Sequence, residues 1–244
     1  IDSIAADRIS LGETVLGQSF EGTLSAALSL VGGDGSATMD LTRTDDGPSA
    51  EITLAASYSN ATRDLVLSLD ASEGAGGIVV GLLGIPGAPS ASFQLSGEGP
   101  LENHKASISL ATDGQDRLTG TVILGQEPGG AYRLQADVAG NIAPILAPDH
   151  VDFFGTDVGL SLDAHHAPSG RMTLDRLSVK ARSVAFDGSA VLAADGLPEM
   201  VDIAGRLADP DGTPVLLPFG DSPIRVDRAD FRLSGTSVAG QGWK

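Results

Sequence analysis

The sequence predicts an all-β protein built on one long antiparallel sheet, and three observations support this fold class. Apolar and polar residues alternate in many short stretches, as in Leu24–Leu30 (LSAALSL). Turns rich in Gly, Asp and Asn separate these stretches, as in Gly32–Gly35 (GGDG). Only a few stretches break the alternation. Because successive side chains of a strand point to opposite faces, this period predicts strands with one apolar and one polar face.

The pattern predicts roughly fifteen strands, near the 8–12-residue spacing of all-β proteins. Gly, Asn and Asp accept the positive φ of hairpin turns, so strands joined by these turns are expected to be antiparallel. The predicted strands are Ile4–Leu11, Gly22–Val31, Ser36–Arg43, Ala50–Tyr58, Asp64–Ala71, Ala91–Ser96, Lys105–Thr112, Arg117–Leu124, Ala131–Val138, Asp157–Asp163, Arg171–Asp175, Leu177–Arg182, Val184–Ala193, Val201–Leu207 and Ile224–Ser234. The Asp187-Gly188 pair allows Val184–Ala193 to be two halves of a hairpin instead.

Composition favours a thin or repetitive sheet over a single thick core. Hydrophobic residues make up 41% of the 244 residues and mean hydropathy is +0.10, which is enough apolar surface for a core. Aromatic residues make up only 4%, whereas a globular sandwich of this size usually fills its middle with more large rings. The apolar surface is therefore mostly Leu, Ile, Val and Ala.

Charge and cysteine content exclude several classes of function. The net charge of −17 repels phosphate backbones, so we expect no nucleic-acid partner. The acidic residues are dispersed, which indicates a solvated surface more than a cation-binding one. The absence of cysteine excludes disulfides and thiolate metal sites. No stretch reaches the ~20 apolar residues of a membrane-spanning helix.

Three stretches predict short helical plugs between blocks of strands. Glu73–Ile85 and Asn141–Phe154 carry apolar residues at helical spacing, and Leu197–Met200 is a weaker third copy. Strands and plugs thus recur in approximate blocks 1–89, 90–155 and 156–244, and no low-complexity linker separates them. We therefore expect one continuous β-repeat array over residues 1–244. Because the chain begins in mid-pattern without a signal peptide or initiator Met, we expect a fragment of a longer protein.

No motif in the chain predicts catalysis, a cofactor or a metal site. Gly74–Gly77 resembles a dinucleotide-binding loop, but Val79 occupies the third glycine position and no βαβ unit surrounds it. Asp209–Gly212 suggests a calcium loop, but the twelfth position, Gly220, offers no side-chain ligand. His165-His166 is the only clustered histidine pair. Because adjacent residues of a strand point to opposite faces, these two side chains cannot easily share one metal ion.

The apolar strand faces have two interpretations. In the commoner one, opposing strands pack these faces into an ordinary sandwich core. In the other, a curled sheet exposes a concave apolar face that holds an apolar ligand.

Several stretches resemble a known family. Leu67–Ser90, followed by Leu95–Leu101, resembles the repeat blocks of the TamB family of translocation and assembly module proteins, in the AsmA-like superfamily. Ser3–Leu11, Leu134–Gly155 and Ile203–Gly212 resemble the same blocks. The resemblance spans essentially the whole chain and favours the curled sheet.

The resemblance implies a function in lipid transport. Members of this family are anchored in the inner membrane of Gram-negative bacteria and cross the periplasm. Their long sheet curls into a U-shaped apolar groove, a β-taco, which carries phospholipid between inner and outer membranes beside an outer-membrane barrel partner of the TamA type. By this resemblance the chain is a periplasmic groove segment, has phospholipid acyl chains as its partner, needs no cofactor and is not an enzyme.

Alternate apolar residues are predicted to line the lipid groove. At ~4.8 Å per strand, roughly fifteen strands give a groove about 70 Å long. The alternative function is a secreted structural or adhesive β-solenoid, such as an autotransporter passenger, with stricter repeats and parallel coils. A third class, an envelope hydrolase, has no supporting motif. The predicted groove residues are Leu24, Leu28, Leu30, Leu41, Ile52, Leu54, Leu65, Leu67, Leu69, Phe93, Leu95, Ile108, Leu110, Leu118, Val122, Leu124, Leu134, Val138, Leu160, Leu162, Leu174, Val179, Leu207, Phe231 and Leu233.

Overall fold

The computed structural model describes residues 3–217, 224–238 and 242–243. It confirms an all-β protein in which antiparallel strands follow one another in the order of the sequence. The chain divides into two compact units, Ile1–Thr119 and Gly120–Lys244. The single array of three blocks stays a prediction, and Gly220, considered above for a calcium loop, lies outside the described residues.

The first unit contains seven whole strands and two short helices. Each strand pairs antiparallel with its sequence neighbour. Helix α1 (Glu13–Leu16) connects the first two strands, and helix α2 (Ile78–Leu82) connects the fifth and sixth. The strands are β1 (Ile4–Leu11), β2 (Phe20–Val31), β3 (Asp34–Arg43), β4 (Ala50–Tyr58), β5 (Asp64–Glu73), β6 (Ala91–Pro100) and β7 (Asn103–Thr112). The boundary between the units falls within the next strand, β8 (Gln115–Gln126).

The second unit continues the same strand order after β8. A 3-10 turn (Ala143–Ile145) and helix α3 (Pro148–Phe154) separate its first two whole strands. β14 and β15 form a small ladder of their own, while β13 pairs with β16. The strands are β9 (Tyr132–Gly140), β10 (Val158–His166), β11 (Met172–Lys180), β12 (Val184–Leu192), β13 (Pro198–Ala208), β14 (Val215–Leu217), β15 (Ile224–Val226), β16 (Arg228–Val238) and β17 (Gly242–Trp243).

The helices differ from the prediction in position. Of the stretch Glu73–Ile85, only Ile78–Leu82 is helical. The predicted third plug at Leu197–Met200 is wrong, because a tight turn ends at Gly196 and Pro198 already begins β13. Helix α1 was missed because four residues form a single turn, which is too short to show a helical period.

Two predicted strands, Arg171–Asp175 and Leu177–Arg182, are one bulged strand. β11 carries an extra residue relative to both neighbours, since its register shifts between Leu174 and Leu177. A bulge reverses the alternation and imitates a break in the sequence pattern. Conversely, Ile224–Ser234 was predicted as one strand but forms β15 and the start of β16.

Few hydrophobic side chains are fully buried. In the described part of the chain the buried hydrophobic residues are Phe20, Val80, Ala106, Phe153, Val191 and Val215. Many large apolar residues are instead exposed, among them Leu30 at 76% and Leu233 at 61%. Apart from the two-stranded β14–β15 ladder, the described strands form no second sheet that could cover the first. Among the described helices, none has the length and apolar character that crossing a membrane would require.

Candidate functional site

In the first unit the predicted groove residues on β2 to β7 lie on one face of the sheet, which we call the apolar face. Cross-strand register joins them into rows perpendicular to the strands, because paired residues of neighbouring strands share a face. The first row is Leu24, Leu41, Ile52, Ala71, Phe93 and Leu110. The second row is Ala26, Met39, Leu54, Leu69, Leu95 and Ile108. Two shorter rows contain Leu28 with Leu67 and Leu30 with Leu65.

The second unit has an apolar face of the same kind. One row is Val138, Leu160, Val179, Phe186, Gly205 and Phe231. The next row is Ala136, Leu162, Leu177, Gly188, Ile203 and Leu233. Leu134 and Leu174 share a third row. Leu207 lies two residues after Gly205 on β13 and therefore on the same face. Leu174 and Val179 have opposite sequence parity, yet the bulge in β11 brings both to this face.

Three predicted groove residues lie on β8, and three residues of the apolar rows in the second unit were not predicted. Leu118, Val122 and Leu124 alternate along β8. Leu177, Phe186 and Ile203 belong to the apolar rows of the second unit but were not predicted. The bulge hid Leu177, whereas plain alternation along β12 and β13 could have found the other two.

None of the predicted groove residues is buried. All of them are half-buried or exposed, so none of them is fully enclosed in a protein core. In a packed sandwich, inward-facing side chains of this type would be close to fully buried. The opposite face is polar, as the row Ser25, Asp40, Thr53, Asp70, Gln94 and Ser109 illustrates. The sheet therefore presents accessible apolar and polar surfaces on opposite sides.

An open apolar pocket of about 290 Å³ lies on the apolar face of the first unit. Its floor is the first row, from Leu41 to Leu110. Leu16 of α1 and Ile78 and Val79 of α2 form its walls. The segment after α1 is linked to the segment before α2, since the Gln18 side-chain amide donates to the Gly76 carbonyl at 3.3 Å. The pocket thus arises where two short insertions lie over the sheet.

Helix α2 is fixed to the sheet by one carboxylate and one buried side chain. The Glu73 carboxylate, at the end of β5, accepts hydrogen bonds from the backbone N–H groups of Val79 (3.0 Å) and Val80 (2.8 Å). It thereby satisfies two of the free N–H groups at the start of the helix. A Cβ on Gly77 would lie 2.4 Å from this carboxylate, so glycine leaves the space that it occupies. The Val80 side chain is fully buried.

An ion pair between Arg43 and Asp45 lies beside the pocket, at the end of the apolar face where α1 and α2 are found. The Arg43 side chain is only 4% exposed, its guanidinium lies 5.8 Å from the centre of the Phe20 ring, and its Nε donates to Asp45 Oδ1 at 2.5 Å. This hydrogen bond, aided by backbone N–H groups of Glu21 and Gly47, holds the pKa of Asp45 below its ordinary value of 3.8. The buried cation is therefore neutralised beside the pocket.

Comparisons of the chain with known protein families, with curated proteins and with solved structures find no match. What the site can bind is therefore inferred from its structure alone. An accessible face of aliphatic side chains can bind apolar molecules through their surface area.

Proposed function

We propose that this chain is a groove segment of a bacterial envelope protein whose apolar face carries phospholipid acyl chains. In this proposal the sheet curls into a U-shaped groove in the periplasm, within a protein anchored in the inner membrane. The role is non-catalytic: phospholipid moves between inner and outer membranes, and the full-length protein meets an outer-membrane barrel partner of the TamA type. The location and the partner rest on the resemblance to the TamB family.

The single observation that carries the proposal is the accessible apolar face. Exposing aliphatic side chains to water costs about 25 cal/mol per Å², so rows of partly exposed Leu, Ile and Val favour a ligand that covers them. Each methylene of an acyl chain that leaves water contributes ~0.8 kcal/mol. A lipid chain is long, unbranched and apolar, and matches rows that cross strand after strand.

The composition of the face favours movement over tight capture. Its side chains are mainly aliphatic, with few polar atoms to fix a ligand in one position. Specific ligand sites usually combine an apolar lining with a few placed polar groups. The pocket at the first row is a place where an acyl chain can be held more closely, because α1 and α2 add walls to the open face.

Site-specific photo-crosslinking in cells tests the proposal. A photoreactive residue at Leu67, on the apolar face, should crosslink to phospholipid, whereas one at Ser68 should not. Ser68 is the matched control, because it is the next residue of β5, is likewise half-buried and pairs with Ser96 on the polar face. Equal labelling at both positions would contradict the assignment of the face.

Native mass spectrometry supplies a second, independent readout. The purified chain should carry co-purified phospholipid in a detergent-free buffer. A chain that binds no lipid, and that gives no crosslink at Leu67, would contradict the proposed function.

A further inference from the structure

A compact group of charged side chains lies on the polar face of the second unit, away from the apolar rows. Asp163 and His165 stand two residues apart on β10 and share this face. Asp175 comes from the neighbouring strand β11, and Glu127 from the turn between β8 and β9. Arg133, opposite His165 on β9, binds Asp163 with Nε–Oδ1 and Nη2–Oδ2 distances of 2.8 and 2.5 Å.

Both ring nitrogens of His165 face carboxylates. Nδ1 lies 3.1 Å from Glu127 Oε2, and Nε2 lies 3.0 Å from Asp175 Oδ2 and 3.9 Å from Asp163 Oδ1. A neutral imidazole has one N–H donor and one lone pair. If Glu127 accepts the Nδ1 hydrogen, the Nε2 lone pair points toward two anionic oxygens. A cation between Nε2 and the two aspartates satisfies this arrangement.

The bulge in β11 completes the group. Asp175 and Arg176 both lie opposite Asp163, because β11 has one residue more than β10 at this point. Two consecutive side chains can therefore reach the polar face, and a regular strand would bring only one. Bulges commonly redirect a side chain in this way next to functional sites.

The charges of the group favour a divalent cation. Glu127, Asp163 and Asp175 contribute three negative charges. Arg133, which binds Asp163, and Arg176, which lies opposite Asp163 on β11, contribute two positive ones. A divalent ion offsets the remaining negative charge and can contact both aspartates together with His165 Nε2.

We propose that Asp163, His165 and Asp175 bind a divalent transition metal, with Zn²⁺ the best match to this ligand set. The three ligand atoms lie within 4.8 Å of one another. Zn–N and Zn–O bonds of about 2.0–2.2 Å in a tetrahedral site separate ligand atoms by about 3.4 Å, between the two separations at Nε2. Glu127 then acts as a positioning residue, because a carboxylate on the other ring nitrogen fixes the tautomer of a metal-bound histidine.

Calorimetric titration of the tag-free, full chain with ZnCl₂ at physiological ionic strength tests the proposal. The salt screens weak binding by the many dispersed acidic residues. We expect one site per chain, which His165→Ala abolishes and Asp175→Asn weakens strongly. Glu127→Gln should weaken Zn²⁺ binding by about 10- to 100-fold, the usual range for such partners. Ca²⁺ should bind more weakly than Zn²⁺, because it prefers an all-oxygen ligand set.

Two control variants leave the group intact. His166→Ala removes the adjacent histidine, which pairs with Tyr132 and Met172 on the opposite face, and Asp137→Asn removes an exposed carboxylate from the polar face of β9. Both should bind Zn²⁺ like the wild type. Circular dichroism confirms folding, and the ¹⁵N resonances of His165 provide a readout that does not depend on a variant, since Nε2 should shift on Zn²⁺ addition. Unchanged His165 resonances, or equal Zn²⁺ affinity in His165→Ala and wild type, would overturn the proposed site.

Discussion

The apolar face of the first unit is covered at one end and open at the other. Over the first row, α1 and α2 build walls around a pocket, and Val80 is fully buried. Farther along the same strands, Leu28 and Leu30 are 53% and 76% exposed. Both regions have the same alternating sequence pattern. The difference shows that the strands create the apolar surface, whereas short insertions between strands decide where it is enclosed.

This difference gives the two regions separate physical roles. At the covered end, burial of Val80 and the pairing of Arg43 with Asp45 stabilise the fold. At the open end, exposed leucines contribute little to stability, because water reaches them in the folded chain as well. Substitutions at the covered end should therefore change the free energy of unfolding, and substitutions on the open rows should mainly change ligand binding.

The largest effect is expected at Val80. Val80→Asp places an unpaired carboxylate in a fully buried position, so the free energy of unfolding of the first unit should fall by about 3 kcal/mol. Val79→Asp is the matched control on the same helix, because Val79 is 53% exposed, and it should stay within about 0.5 kcal/mol of wild type. Urea denaturation measures both. Equal stability of the two variants would show that α2 does not pack on the sheet.

The next effect concerns the ligand. Leu110→Asp puts a charge on the floor of the pocket, where the half-buried side chain can still reach water, so the chain should fold while its co-purified lipid is lost. Ser109→Asp, on the polar face of the same strand, should fold and retain lipid. Melting temperature and lipid content are measured on the same sample. An unfolded Leu110→Asp chain would indicate a closed core, and a folded variant with full lipid would contradict the groove at this strand.

Much of the fold could be predicted from the sequence, because its period of two is simple and frequent. The paired rows from Leu24 to Leu110 follow directly from alternation and hairpin turns. Prediction failed where one extra residue in a strand reverses the alternation of its two faces. It also failed where a single helical turn takes the place of a loop. The bulge at Asp175 and helix α1 are of this kind, and neither leaves a periodic signal.

The charged group around His165 could not be predicted for a different reason. Its members are far apart in sequence, and Glu127 approaches His165 only through the pairing of β9 with β10. The sequence shows the His165-His166 pair, yet the informative partners of His165 are carboxylates on other elements. Likewise, the sequence pattern does not indicate that Glu73, at the end of β5, caps helix α2.

A moderate effect is expected when the α2 cap is removed. Glu73→Ala leaves two backbone N–H groups at the start of the helix without their acceptor and should cost about 1 kcal/mol. Glu73→Gln keeps one acceptor oxygen and should cost less. Glu51→Ala, at an exposed position on the adjacent strand, serves as the control. Hydrogen exchange of the α2 amides should rise in Glu73→Ala alone, and unchanged exchange would contradict the capping role.

The smallest effect depends on pH and concerns the charged pair at the covered end. Because Arg43 lowers the pKa of Asp45 in the folded chain, the ionised carboxylate stabilises the fold above its ordinary value of 3.8, and this contribution is lost as pH falls through the lowered folded-state pKa. Asp45→Asn should thus be less stable than wild type at pH 7, and the difference should shrink below about pH 4. Asp46→Asn, at the exposed next position, should match wild type across the range. Denaturation curves at a series of pH values measure the difference. A gap between Asp45→Asn and wild type that persists unchanged in acid would show that shape, and not charge, makes Asp45 necessary beside Arg43.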